Sequence, residues 1–360
     1  MLWFWFLHLF AIQLQIYAID LGSDGSTVKV EHCEKDNGCA DSDKQQRELL
    51  HPDWVHVGVV ACGDRQPETV VAVKAIMVTS SPNVFIHVFT EDELMASFHS
   101  DFASWPNEIR SKFKYRLYRI TYPPDRFQEW KKLFKTCATQ RLFIPTLLAE
   151  VDSILYIDTD ILLMRPVQDV WDHFKHFNSS QLAAVAPEHE SASAGWYNRF
   201  ARHPYYGRLG INSGVMLMNM TRIRAFTWLE HMNDYLTRYK YNITWGDQDL
   251  LNILFHHYPE FVYIYECNWN YRPDHCMYMS VCKVAEQDGI SVLHGNRGVL
   301  HNDKHPQFKA IYDAFEEYKF DGLDMLLRSM EAKLDALDGT EGRCQAVKDL
   351  FCKRFRLFAH

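Results

Sequence analysis

No C-x-x-C pair, no G-x-G-x-x-G and no P-loop occur in this chain of 360 residues. The first absence argues against zinc, and the other two against dinucleotide and ATP-type phosphate cradles. Positive charge is also scarce. The 38 Lys and Arg face 46 Asp and Glu, a formal net charge of −8, which gives no electrostatic footprint for nucleic acid. No internal repeat is present. Residues 1–19 contain no Lys, Arg, Asp or Glu, and His8, Gln13 and Gln15 interrupt their apolar run. That pattern fits a signal peptide h-region better than a full bilayer span, with Ala18 as a small residue before a cleavage point. The basic segment that usually precedes such a region is missing, so a signal anchor stays open, and with it a membrane contact through this segment.

What is present suits one large or two modest domains, because 47% hydrophobic residues are ample for a core. Residues 20–50 are rich in Gly, Ser, Asp and Lys and read as a stem or linker. Three N-x-[ST] sequons, at Asn178, Asn219 and Asn242, are compatible with a secretory lumen. Asn219 lies in an apolar segment that a glycan does not suit. Nine cysteines include three pairs close in sequence: Cys33 with Cys39, Cys276 with Cys282, and Cys344 with Cys352. In an oxidising compartment these read as disulfides, with at least one thiol left over. Cys62 and Cys137 lie in apolar segments and are expected to be buried and reduced.

From His56 the order strand, loop, helix, strand, helix, strand runs through Val84–Phe89 to Tyr115–Ile120. This is the rhythm of a doubly wound α/β sheet. Ligands of such sheets sit beyond the carboxyl ends of the strands, so the loop at Gly63 and Asp64 is a natural nucleotide site. Lys131–Glu150 is expected to be helical, with Arg141 as a planar donor fork for a diphosphate. Thr221–Tyr239 is expected to be one helix. The stretch Ser153–Leu163 is a buried strand that ends in Asp158-Thr159-Asp160 and then resumes apolar character. Two carboxylates at i and i+2 point the same way on an extended chain, and burying both is costly without a cation. Oxygen ligands there suit Mg2+ or Mn2+ with a substrate phosphate. Glycosidase carboxylates instead flank the bond from opposite sides. Ser191–Gly210, with Trp196, Tyr197, Tyr205 and Tyr206, is assigned to acceptor recognition. Ile211–Met218 is a strand with Asn212 and Gly214 at its entry. Asp247 is placed to cap a helix that begins near Gly246.

Four segments, Asp158-Thr159-Asp160, Asn212-Ser213-Gly214, Gly246-Asp247-Gln248-Asp249 and Leu293-His294-Gly295, occur in the order and approximate spacing of glycosyltransferase family 8. The resemblance covers roughly residues 54–320 and implies retaining, UDP-sugar-dependent transfer on a GT-A fold, a Rossmann-like mixed sheet flanked by helices. The catalytic domain is then 51–320, with a helical C-terminal extension over 321–360. The segments CGDRQPETVVAVKAI, CNWNYRPDHC and HGNRG look like those of the glucoside xylosyltransferases. That likeness implies UDP-xylose as donor, glucose O-linked to EGF-like repeats as acceptor, an α-1,3 linkage and a lumen of the endoplasmic reticulum or Golgi. It makes Asp158, Asp160 and His294 the ligands of Mn2+. Ala61, Gly63 and Asp64 resemble the uridine loop, and Arg141, Thr159, Asn212, Ser213 and Gly295 the donor contacts. Asp247 and Gln248 match the residues at the anomeric centre. The cation facing the leaving phosphate is Arg297 or Lys304. UDP-glucose or UDP-galactose is the alternative donor, and a non-catalytic sugar-binding protein the alternative of another class.

Overall fold

The computed structural model describes residues 54–80, 83–133, 137–339 and 342–359. The expected signal segment, the stem and the Cys33–Cys39 pair lie outside them. Among the described residues, no helix is long and apolar enough to cross a membrane.

Strands β1 (Val55–Ala61) and β2 (Val84–Thr90) are buried from end to end. Such continuous burial belongs to strands covered on both faces. With β3 (Phe113–Arg119) they pair in parallel. The chain then crosses to the other side of β1, where β4 (Ser153–Ile157) pairs in parallel with Val59 opposite Ile157. β7 (Ile211–Asn219) joins β4 antiparallel, β6 (Ala183–Pro187) joins β7, and β8 (Val262–Ile264) joins β6. The resulting order is β3-β2-β1-β4-β7-β6-β8. A separate antiparallel ladder pairs β5 (Ile161–Leu163) with β9 (Val292–His294). Strand order reverses between β1 and β4, so a crevice opens beyond their carboxyl ends.

Helices α1 (Gln66–Thr79) and α2 (Asp92–Ala103) cover one face, where Val73, Ile76, Phe98 and Phe102 join the cluster of Val57, Val59 and Leu155. Helices α3 (Trp228–Tyr239) and α4 (Asp247–His257) cover the other, with Met232, Leu236, Leu251 and Phe255 in the cluster of Ile154 and Tyr156. Helices α5 (Pro306–Glu317) and α6 (Leu323–Asp335) share a third cluster with Val71 and Ala75 of α1 and Leu162 of β5. The C-terminal helices therefore rest on the outer face of α1 and on the small ladder.

Three expectations need correction. Lys131–Glu150 is not one helix but short pieces: Phe127–Lys132, a 3-10 stretch Ala138–Phe143 and a single turn Ile144–Leu147. Cys137 interrupts the run with a left-handed φ of 64°, a conformation that no helix continues through. Thr221–Tyr239 breaks for the same reason at Thr227, whose φ is 55°. The cysteines pair as Cys62–Cys137, Cys267–Cys282 and Cys276–Cys344, and Cys352 is buried and free. The fold brings Cys62 and Cys137 to a Cα separation of 6.3 Å, within reach of a bridge, although 75 positions separate them in sequence. Burial pushes the Cys352 thiol up to about 12.

Candidate active site

Asp158 and Asp160 do not sit on a strand. β4 ends at Ile157, and the two carboxylates flank a tight turn that leads into β5. Backbone bonds pin that turn on both sides. The Asp158 N–H donates to the Gly214 carbonyl at 2.8 Å, and the Gly295 N–H donates to the Asp160 carbonyl at 2.7 Å. Pairing of Ile161 with His294 in the small ladder brings the imidazole to the same place. His294 Nε2 lies 3.3 Å from Asp160 Oδ1 and 3.9 Å from Asp158 Oδ2. One ligand atom from each of the three residues falls within 4.8 Å of the others. Gly214 makes this possible: a Cβ there would stand 2.4 Å from His294 Cε1 and 2.9 Å from Asp158 Oδ2. The close approach at Gly214 is thus made by these two side chains.

The donor set fits a divalent cation. Two carboxylates and an imidazole converge, and Asn270 Oδ1 engages His294 Nδ1 at 2.6 Å, which leaves Nε2 towards the carboxylates. Mn2+ accepts that mixture of oxygen and nitrogen ligands. A second convergence, Cys62 and Cys137 with Glu91, offers no thiolate because the two sulfurs are bonded to each other.

Arg141 lies buried between the turn and α4. Its Nε donates to Asp247 Oδ2, its Nη1 to the Ser213 carbonyl at 2.6 Å and to Ser213 Oγ at 3.0 Å, and its Nη2 lies 3.5 Å from Asp158 Oδ1. Burial pulls the guanidinium pKa down, but Asp247, Tyr156 and Asp158 outweigh it and raise it. Asp247 does not cap α4. Gly246, with a φ of 60°, occupies the cap, and Asp247 is the first helical residue. Burial pushes the Asp247 carboxyl up to about 6, against the pull of Arg141. Its Oδ1 is buried with no hydrogen-bond partner. Gln248 is held at its oxygen by the Ser213 N–H at 3.2 Å and donates to Tyr197 Oη at 3.3 Å.

A cleft of about 410 Å³ opens beside this cluster, lined by Gly63, Asp64, Ala138, Arg141, Tyr156 and the Asp158–Asp160 turn, with Arg65 and Gly298 at its edge. Ala61 lies beneath it, fully buried, with its carbonyl accepting the Thr90 hydroxyl at 2.7 Å. Arg297 points its guanidinium at Asp274, and Lys304 is exposed. Tyr197, expected at an acceptor surface, is instead buried, donating to Asp249 Oδ1 and accepting from Asn252 Nδ2, both at 2.8 Å. A short helix, Trp196–Phe200, occupies part of that expected loop.

Sequence reasoning missed Glu68 and Asn270. Glu68 is buried in the first turn of α1 and meets Arg65 at 2.5 Å, His301 at 3.1 Å and the Thr159 hydroxyl at 3.3 Å. Burial and the nearby Asp160 raise its carboxyl above the usual range, against Arg65 and His301. Spacing carries no sign of either residue. The only available signal was, for Asn270, a polar side chain between Trp269 and Tyr271 and, for Glu68, an acidic residue just ahead of an apolar run.

The family model described as "Glycosyl transferase family 8" matches residues 62–333. The chain belongs to that family. This family 8 glycosyltransferase is 50% identical over 315 residues to glucoside xylosyltransferase 2 of Xenopus laevis, covering 84% of this chain and 74% of the relative. It is 53% identical over 293 residues to glucoside xylosyltransferase 1 of Mus musculus, covering 78% and 72%. Among solved structures, the galactosyltransferase LgtC in complex with donor and acceptor sugar analogs superposes with a TM-score of 0.57 at 18% identity, covering 73% of this chain and 95% of that one. Apo mouse xyloside xylosyltransferase 1 gives 0.52 at 17%, covering 68% and 98%. These structural likenesses bear on the fold alone, which is the GT-A class of the mixed sheet expected from the sequence.

Proposed function

We propose that this glycosyltransferase moves xylose from UDP-xylose to a glucose O-linked to EGF-like repeats, forming an α-1,3 linkage with retention, in a secretory lumen. The observation that carries the donor and acceptor class is the 50% identity, over 315 residues, to a relative named glucoside xylosyltransferase. Three disulfides among the described residues agree with an oxidising compartment.

Asp158, Asp160 and His294 would hold the Mn2+, and the cation, once bound, stabilises negative charge on the leaving diphosphate. The protein's own groups do the rest. Gly63 and Asp64 border the nucleotide side of the cleft, while Arg141 fixes Asp247 and the Ser213 backbone in one arrangement. The unpartnered Asp247 oxygen accepts a donor-sugar hydroxyl, and ordering before reaction lowers the barrier. Gln248, restrained by Ser213 and Tyr197 and a poor nucleophile, is a contact to the anomeric centre. That disfavours a covalent sugar intermediate. In front-face transfer the bond from the anomeric carbon to phosphate oxygen breaks. A new bond to the acceptor oxygen forms, and the acceptor proton passes to the departing phosphate oxygen.

The test is UDP release from a panel of UDP-sugars with a β-glucoside acceptor, in Mn2+ or EDTA. Mn2+-dependent turnover with UDP-xylose alone is expected. Turnover with UDP-glucose or UDP-galactose instead would overturn the xylosyl donor and leave the reaction class standing.

A further inference from the structure

His294 is one end of a buried chain of polar side chains. Its Nδ1 meets Asn270 Oδ1 at 2.6 Å, Asn270 Nδ2 donates to Asn212 Oδ1 at 2.7 Å, and Asn212 Nδ2 donates to Glu188 Oε2 at 2.8 Å. Glu188 Oε1 in turn accepts from Nη1 of the fully buried Arg272 at 2.8 Å. The chemistry of the far end sets the direction of every bond. A carboxylate facing a guanidinium can only accept from its neighbour, so Asn212 must present its NH2 there. Its carbonyl is fixed a second time by the Gly214 N–H, which donates to it at 3.0 Å. That carbonyl requires the NH2 of Asn270, and the Asn270 carbonyl then requires a proton on His294 Nδ1. Only that tautomer keeps the Nε2 lone pair free to bind a metal.

We infer that Asn270 is a positioning residue of the metal site, which holds His294 in the Nδ1–H tautomer through a relay of fixed direction from Glu188 and Asn212. Asn212 thereby belongs to the support of the metal site as well as to the donor contacts expected of it. The relay also accounts for the cysteine-rich segment. Asn270 and Arg272 lie between Cys267 and Cys276, and both cysteines are bridged, to Cys282 and Cys344. The two bridges hold a stretch of irregular chain behind the imidazole.

The inference rests on the metal site proposed above, so the readout is Mn2+ binding by the full protein without donor, from the electron paramagnetic resonance signal of free Mn2+. Asn270→Leu removes the acceptor and is expected to weaken Mn2+ binding about 10–100-fold. Asn270→Asp keeps an acceptor towards Nδ1 but sets its second oxygen against the Asn212 carbonyl, so it is expected to weaken Mn2+ binding less than Asn270→Leu, by about 3–10-fold. A role in packing alone orders the two variants the other way, because a buried carboxylate disturbs an interior more than leucine does. Equal loss in both, or no loss in Asn270→Leu, would overturn the relay while wild-type binding preserved the metal site. A wild-type protein that took up no Mn2+ would remove both. If Asn270→Leu fails to fold, Asn270→Ala gives the same comparison.

Discussion

The two sides of the cleft are built differently. On one side, β1, β2 and α1 place Gly63 and Asp64 at the end of strands buried along their whole length. Position there follows from the sheet and needs little from any one side chain. Behind the Asp158–Asp160 turn, His294 and Asn270 sit on a three-residue strand and a 3-10 turn, and crosslinks and buried polar bonds do what strand pairing does opposite. The first kind of wall is expected to fail by losing stability, and the second by losing geometry.

The sharpest break comes where the walls meet. Asp160→Asn preserves shape and removes charge, and should lower transfer at least about 100-fold with an unchanged melting temperature. Near-normal turnover would remove Asp160 from the site. Gly214→Ala pushes a methyl group into His294 and Asp158, so it should weaken Mn2+ binding about 10–100-fold, measured by the same Mn2+ titration. Arg141→Lys loses the planar fork and should cost about 100-fold in kcat/KM. It also tests Asp247, which is held at about 6. Asp247 is ionised above that pH and protonated below it, so wild-type activity should fall as pH drops through about 6. A weaker hold by residue 141 should move that limb upward, and a limb that did not move would separate Asp247 from Arg141. The mildest pair compares the walls directly. Ile86→Ala, in the buried centre of β2, should cost about 2–5 kcal/mol in denaturant melts and leave Mn2+ affinity intact. Removing the Cys267–Cys282 bond by paired serines should cost about 3 kcal/mol and weaken Mn2+ binding as well.

The same division explains what could be read from the sequence. β1, β2, β4 and β7 are apolar runs whose burial is written in their composition, and the motifs at Asp158 and Asn212 lie at the ends of β4 and β7, while His294 ends β9 and Asp247 opens α4. The candidate ligands Asp158, Asp160 and His294 were legible from the short motifs that carry them, although the geometry invoked for Asp158 and Asp160 was not. A turn and a neighbouring ladder bring them together, and no local pattern encodes that convergence. Asn270 and Glu68 stayed hidden because a hydrogen-bond partner far along the chain leaves no periodicity. Disulfide partners obey the same limit: Cys276 bonds Cys344 and not the nearby Cys282, since the fold determines which Cα atoms approach.

The Cys62–Cys137 bond joins the residue before Gly63 to the residue before Ala138, and both of those neighbours line the cleft. For the bench, a reductant that opened this bond would release two cleft-lining stretches at once. Dithiothreitol added to protect free thiols protects little here, because the one free described cysteine, Cys352, is buried and weakly acidic. The Cys62–Cys137 sulfurs are themselves buried, so a reductant is expected to act on this strap slowly, and activity followed over hours in dithiothreitol checks whether the bond keeps the cleft in shape.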